Sequence, residues 1–265
     1  MKLKKEKKCF CGNRACKDQL HKTITLNSKY AKTFKLYKNI DKKINEDIYK
    51  FNLSPKCGKG CSECCHQLFP ISEIELCIIT DYLLEHEKSN IENIFKKSVD
   101  IYRYVKNEDP IYFHKLVTNI DGGDIDDLYN YSMISTEITI PQGCIFLNER
   151  NECSIYEVRP LICRTHGVAY FSKDEVNKIC SKLIISNNNR DRFVDLTSYE
   201  DEIISLTFLR WDGKLISKRP YPIFYWFCYL RENNISLKQF RKTNLYNRVS
   251  SMSENEMIDH LLKYR

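Results

Sequence analysis

The stretch "KCGKGCSECCH" at residues 56–66 holds four cysteines and a histidine, and two of the cysteines, Cys64 and Cys65, are adjacent. Thiols at this density constrain a chain strongly, because whatever joins them staples the backbone around them. A chain of 265 residues buries a core without such help, so the cysteines are not there to rescue a small fold. There are 13 of them, an odd number, and the basic start "MKLKKEKKCFCG" lacks the apolar segment of a secretory signal. The expectation is a soluble, cytoplasmic chain in a reducing compartment. There, clustered thiols hold metal or do redox chemistry more often than they form structural disulfides. The longest apolar run, "PIFYWFCYL" at 222–230, is far shorter than the ~20 residues that cross a bilayer, so no membrane is expected.

The formal charge of +7 is spread along the chain and makes no case for a nucleic-acid partner. Its one concentration, Lys2, Lys4, Lys5, Lys7 and Lys8, reads as a solvated tail. Behind it, Cys9, Cys11, Cys16 and His21 are either a small zinc knuckle or part of a loose tail.

Apolar residues at helical spacing (Tyr30, Phe34, Tyr37, Ile40, Ile44, Ile48) predict an amphipathic helix over 28–52. Ser72 with Glu75 and Ser89 with Glu92 match capping boxes and predict helices over 73–87 and 90–106. Asp212-Gly213, inside "SLTFLRWDGKLISKR", is the strongest hairpin signal. Helical patterns return at 222–232, 236–246 and 254–264. The expected fold class is α+β, predominantly α: helices and small antiparallel hairpins around a cysteine-rich centre. Three parts are expected: an N-terminal extension at 1–25, a cysteine-cluster domain at 26–190, and a C-terminal hairpin and helical extension at 191–265.

A second cysteine group follows far downstream: Cys144, Cys153, Cys163 and Cys180. "CIFLNERNEC" reads as a hairpin turning at Asn148 to Asn151, which brings Cys144 beside Cys153. Ser154 with Glu157 reads as the cap of one helical turn before Pro160 and Cys163.

These two stretches resemble the YkgJ-type cysteine-cluster family, described as zinc- or iron-chelating. Its pattern is a CxxCxxCC-like cluster, then C-x-x-L, then CxIYExRPxxCR, then a last cysteine. Matching elements here are Cys57, Cys61, Cys64 and Cys65; Cys144 with Leu147; "CSIYEVRPLICR" from Cys153 to Arg164; and Cys180. The first cluster departs from the pattern by one residue between Cys57 and Cys61. A flagellin lysine N-methylase shares this kind of signature. The resemblance therefore implies either a metal-binding protein or a protein-modifying enzyme with a protein substrate and S-adenosylmethionine as methyl donor.

Sulfur geometry supports a centre with more than one metal. Adjacent side chains in an extended segment diverge, so Cys64 and Cys65 serve two sites more easily than one. The eight cysteines Cys57, Cys61, Cys64, Cys65, Cys144, Cys153, Cys163 and Cys180 divide into two four-thiolate sets. They suit two zinc ions, an iron-sulfur cluster with one ion, or two clusters. Such sets carry net negative charge, and Arg159 and Arg164 stand near enough in sequence to offset it or to make ordinary structural contacts. His66 and His166 are open between ligation and a supporting role. Cys77 and Cys228 read as core residues, and the acidic stretch at 120–131 reads as a solvated loop. For an enzyme, Trp211, Tyr221, Tyr225 and Trp226 are the aromatics available to build a pocket; their ordinary alternative is the core.

Overall fold

The computed structural model describes residues 31–52, 60–118, 139–170, 194–211, 214–217 and 221–243. The first helix, α1 (Ala31–Lys50), buries Leu36, Tyr37, Ile40 and Ile44 on one stripe and leaves its lysines outside. Asn52, at φ 50, then takes the left-handed conformation that ends a helix.

Strand β1 (Pro70–Ile71) leads into α2 (Glu73–His86) through a complete capping box. Ser72 Oγ accepts the Glu75 N–H, and the Glu75 carboxylate accepts the Ser72 N–H at 3.0 Å. Every residue from Ile74 to Leu83 is buried, so α2 is the central helix of the molecule. Helix α3 (Ile91–Glu108) is amphipathic, with Ile94, Ser98, Ile101 and Val105 inward. The expected Ser89 box is absent. Lys88–Asn90 close a short 3-10 turn, Asn90 precedes the helix, and no side chain caps it.

A helix the periodicity did not announce, α4 (Pro110–Thr118), follows at once. Asp109 Oδ1 accepts the Tyr112 N–H at 2.8 Å, and Pro110 opens the helix, where its missing N–H costs nothing.

The C-terminal part begins with a short helix α5 (Leu161–Thr165) and strand β2 (Ala169–Tyr170). Strand β3 (Val194–Asp195) pairs with β2 in parallel, which was not expected. Helix α6 (Glu200–Thr207) runs into β4 (Phe208–Trp211), which pairs antiparallel with β5 (Lys214–Ser217). The expected hairpin is therefore present, three residues shorter at its start than the sequence suggested; its Asp212-Gly213 turn lies outside the described residues.

Strand β6 (Tyr221–Pro222) pairs back onto β1, and α7 (Ile223–Glu232) packs along α3. Helix α8 (Leu237–Thr243) lies against α2, its start held by reciprocal bonds between Ser236 and Gln239. The expected helix at 254–264 and the stretch at 120–131 lie outside the described residues. The fold is α+β and predominantly α, as the sequence implied. Among the described residues, no helix is long and apolar enough to cross a membrane.

Candidate metal centre

The first cysteine loop ends in a 3-10 turn, Glu63–His66, so Cys64 and Cys65 sit on tightly wound backbone and not on an extended strand. Their thiols are hydrogen-bonded to each other. From this turn the chain pairs with the segment before Cys144. The Ile140 N–H donates to His66 O at 2.7 Å, and Gln67 bridges Thr139. The two cysteine groups thus meet through the backbone, despite the long stretch of chain between them.

Gly143, at φ 70, turns the chain into Cys144 beneath the His66 ring. A Cβ there would stand 2.8 Å from Leu147 Cδ1 and 3.3 Å from His66 Cε1, and the left-handed backbone itself favours glycine. His66 Nδ1 donates to Ile140 O at 2.9 Å, which leaves Nε2 as the acceptor nitrogen.

The second group stands on the expected hairpin. Leu147 bridges Cys153, the Ser154 N–H donates to Phe146 O at 2.9 Å, and Asn148 Oδ1 caps the turn by accepting the Arg150 and Glu152 amides. Tyr156–Val158 then form the single helical turn, but Ser154 does not cap it; Ile155 stands at that position. Cys163 follows on α5.

Burial and mutual proximity shape the thiols. The Cys64 thiol is pushed well up by its bond with Cys65, then by burial and by the nearby Cys65 and Cys61. Burial pushes Cys144 up to about 12, with Cys153 adding to it and Lys97 opposing. Cys153 is pushed up to about 11 by burial, against the Ile155 N–H, Arg159 and Arg164, which lower it. Cys163 is raised by burial, then by Cys64, Cys144 and Cys153. Cys64 is thus an electrostatic neighbour of all three described cysteines of the second group.

Without a cation these thiols stay protonated at neutral pH, and thiolates form there only when a metal replaces the protons. The donor set therefore fits a thiophilic metal such as zinc or iron. Among the described residues, no group of three His, Cys, Asp or Glu side chains stands where it could hold a metal ion. Cys57 and Cys180, like Cys9, Cys11, Cys16 and His21, lie outside the described residues.

Both arginines of the second motif have definite partners. Arg159 stacks on Tyr156, 4.2 Å from the ring centre, and opposes the raised pKa of Cys153 and Cys163. Arg164 is buried and bonds carbonyls and a carboxylate, so its role is first structural. A third cation, Lys97, was not singled out from the sequence. Its Nζ donates to Leu147 O at 2.6 Å, inside the cysteine hairpin. The signal was readable: Lys97 lies three residues after Ile94 and four before Ile101, partly buried beside the apolar stripe of α3.

His166 packs against Phe69 in a tilted arrangement with ring centres 4.9 Å apart, and its Nε2 is buried without a hydrogen-bond partner. Burial lowers its pKa to about 4, so the ring is neutral at pH 7. Cys77 and Cys228 are core residues as expected, 1% and 3% exposed, and the Cys228 thiol donates to Ser98 O. Tyr221, Tyr225 and Trp226 are core residues too.

The scaffold is mostly helical and sets Cys64 electrostatically near three cysteines of a remote segment. Residues 56–181 match the model of the CxxCxxCC family, described as "Putative zinc- or iron-chelating domain". This is the family that the two motifs resemble. No curated protein and no solved structure matches the chain.

Proposed function

We propose that this protein chelates zinc or iron through eight cysteines, Cys57, Cys61, Cys64 and Cys65 with Cys144, Cys153, Cys163 and Cys180. The observation that carries this reading is the match of residues 56–181 to a zinc- or iron-chelating family, whose two cysteine stretches pair through the backbone where the Ile140 N–H donates to His66 O. Iron-sulfur ligation is one form of the proposal, and it would supply one-electron chemistry; zinc would supply cross-linking alone. A centre made of reduced thiols also favours a cytoplasmic setting. Residues 1–25 and 191–265 are read as extensions of the domain at 26–190.

The protein-modifying alternative rests on the resemblance to the lysine methylase, with Trp211, Tyr221, Tyr225 and Trp226 as its candidate pocket aromatics; the Trp211 side chain lies outside what the structure describes. Tyr221, Tyr225 and Trp226 are instead spent on packing, and the Trp226 indole donates to Ile71 O at 3.0 Å. The chelating reading is therefore the one retained.

Anaerobic purification followed by metal and sulfide analysis, with absorption and EPR spectra, tests it. Labile sulfide and colour support a cluster, and a colourless protein with bound zinc supports structural sites. Eight freely alkylated thiols in a folded, metal-free sample would sink the proposal.

Proton release gives a second check. Metal binding must expel the proton of each ligating thiol whose pKa lies above the working pH. With Cys144 near 12 and Cys153 near 11, these remain protonated at pH 7, so apparent affinity rises with pH over the whole accessible range. Adding zinc to weakly buffered apoprotein at pH 7 is expected to release at least two protons, those of Cys144 and Cys153. Release of one proton or fewer would mean that the ligands are not these thiols.

A further inference from the structure

The family match begins at residue 56, yet α1, which precedes it, grips the Cys163 segment on both sides. On one side stands Glu75, 4% exposed. Its Oε1 accepts the Tyr37 hydroxyl at 2.9 Å and the Leu161 N–H at 2.8 Å; Oε2 accepts the N–H and hydroxyl of Ser72. A carboxylate from α2 thus ties α1 to the opening amide of α5, two residues before Cys163.

On the other side stands Arg164. Its Nη1 donates to Asp41 on α1, Nε to Arg159 O at 2.9 Å and Nη2 to Glu157 O at 2.7 Å. The guanidinium lies over the Tyr37 ring, 4.6 Å from its centre. Helix α5 has only five residues, and a helix that short does not hold its shape unaided. Cys163 sits between its two fastenings. Neither Tyr37 nor Asp41 belongs to the cysteine motifs, and neither is a metal donor in the proposed set.

We infer that Tyr37 and Asp41 of α1, acting through Glu75 and Arg164, are positioning residues that set Cys163 in place before any metal arrives. The inference rests on the reading of Cys163 as a ligand. Its content is that the segment outside the family match completes the site: α1 lowers the cost of organising the second cysteine group.

The test uses the full chain with Tyr37→Phe, Asp41→Asn and, as rescue, Asp41→Glu. Zinc affinity is measured against a chromophoric chelator, and cobalt(II) is added to read the thiolate charge-transfer and ligand-field bands. Each disabling variant is expected to weaken zinc binding about tenfold, as loss of a ligand-orienting partner does, and to shift the cobalt bands, with D41E restoring part of both. In metal-free protein, alkylation of Cys163 should quicken severalfold relative to Cys144. Lys42→Ala, which breaks an exposed pair with Glu46 on the same helix, should change nothing.

Unchanged affinity and cobalt spectra in Y37F and D41N, with melting curves showing both folded, would overturn the inference. So would unchanged Cys163 alkylation. If the wild-type chain binds neither zinc nor iron, the chelating function fails, and the alkylation rates still decide whether α1 positions Cys163.

Discussion

Cys64→Ser is expected to strip metal from both cysteine groups, whereas Cys228→Ala leaves the metal content intact. Cys64 is the sulfur at the junction. It is bonded to the Cys65 thiol, near Cys61 in its own loop, and coupled to Cys144, Cys153 and Cys163 across the site. Serine keeps the size but offers a hard, protonated oxygen to a metal that prefers sulfur. Loss of a ligand should exceed the roughly 10–100-fold penalty of losing a partner that only orients one. Because metal binding is folding free energy, the wild-type protein should also melt lower after chelation. C64S should start near that lower temperature and respond little to chelator. Metal per chain and melting with and without chelator decide the matter. A variant that keeps the full metal complement and the full chelator response excludes Cys64 as a ligand. Cys228, buried beside Ser98, provides the contrast, since its loss costs only core packing.

Short-range hydrogen bonds were more readable in the sequence than long-range ones. The Ser72–Glu75 box and the Asn148 turn depend on residues within a few positions of one another, and both form. The boxes at Ser89 and Ser154 share the same spacing and fail, because a 3-10 turn in one case and a shifted start in the other move the serine off the capping position. Helix α4 is announced by Asp109-Pro110, a start signal independent of apolar periodicity. The parallel pair of β2 with β3 was beyond reach, since two residues per strand carry no alternation. At the site, the motifs identified which sulfurs to watch. They are silent on how those sulfurs are held: the S-x-x-E spacing announces Glu75 as a cap, while its other oxygen is shared by Tyr37 and Leu161 from remote parts of the chain. Arg164 is open in the sequence between offsetting thiolate charge and ordinary structural contacts, and its side chain makes the latter, with Asp41 of α1 and two carbonyls.

Phe227→Ala should be the most damaging substitution outside the cysteines, and it should reach the metal. Phe227 is fully buried on α7, with its ring edge-on to Phe95 at 5.6 Å and to Phe146 at 5.7 Å. Phe95 belongs to α3, while Phe146 lies in the hairpin between Cys144 and Cys153, so the C-terminal extension is the floor under two proposed ligands. Emptying such a site costs about 3–5 kcal/mol, a large share of the ~5–15 kcal/mol that holds a native fold together. The melting temperature should fall by roughly 10 °C. Phe227→Leu, which refills most of the volume, should cost less than half as much. Phe240→Ala separates stability from siting: Phe240 is nearly as buried and meets Trp226, whose indole bonds Ile71, and neither ring belongs to the cysteine hairpin. Both alanine variants should melt early, but only F227A should release metal faster to a chelator well below its melting temperature, because only there does Phe146 lose its support. Equal release rates in the two would reduce α7 to ordinary core packing and leave the Cys144–Cys153 hairpin to stand on its own turn.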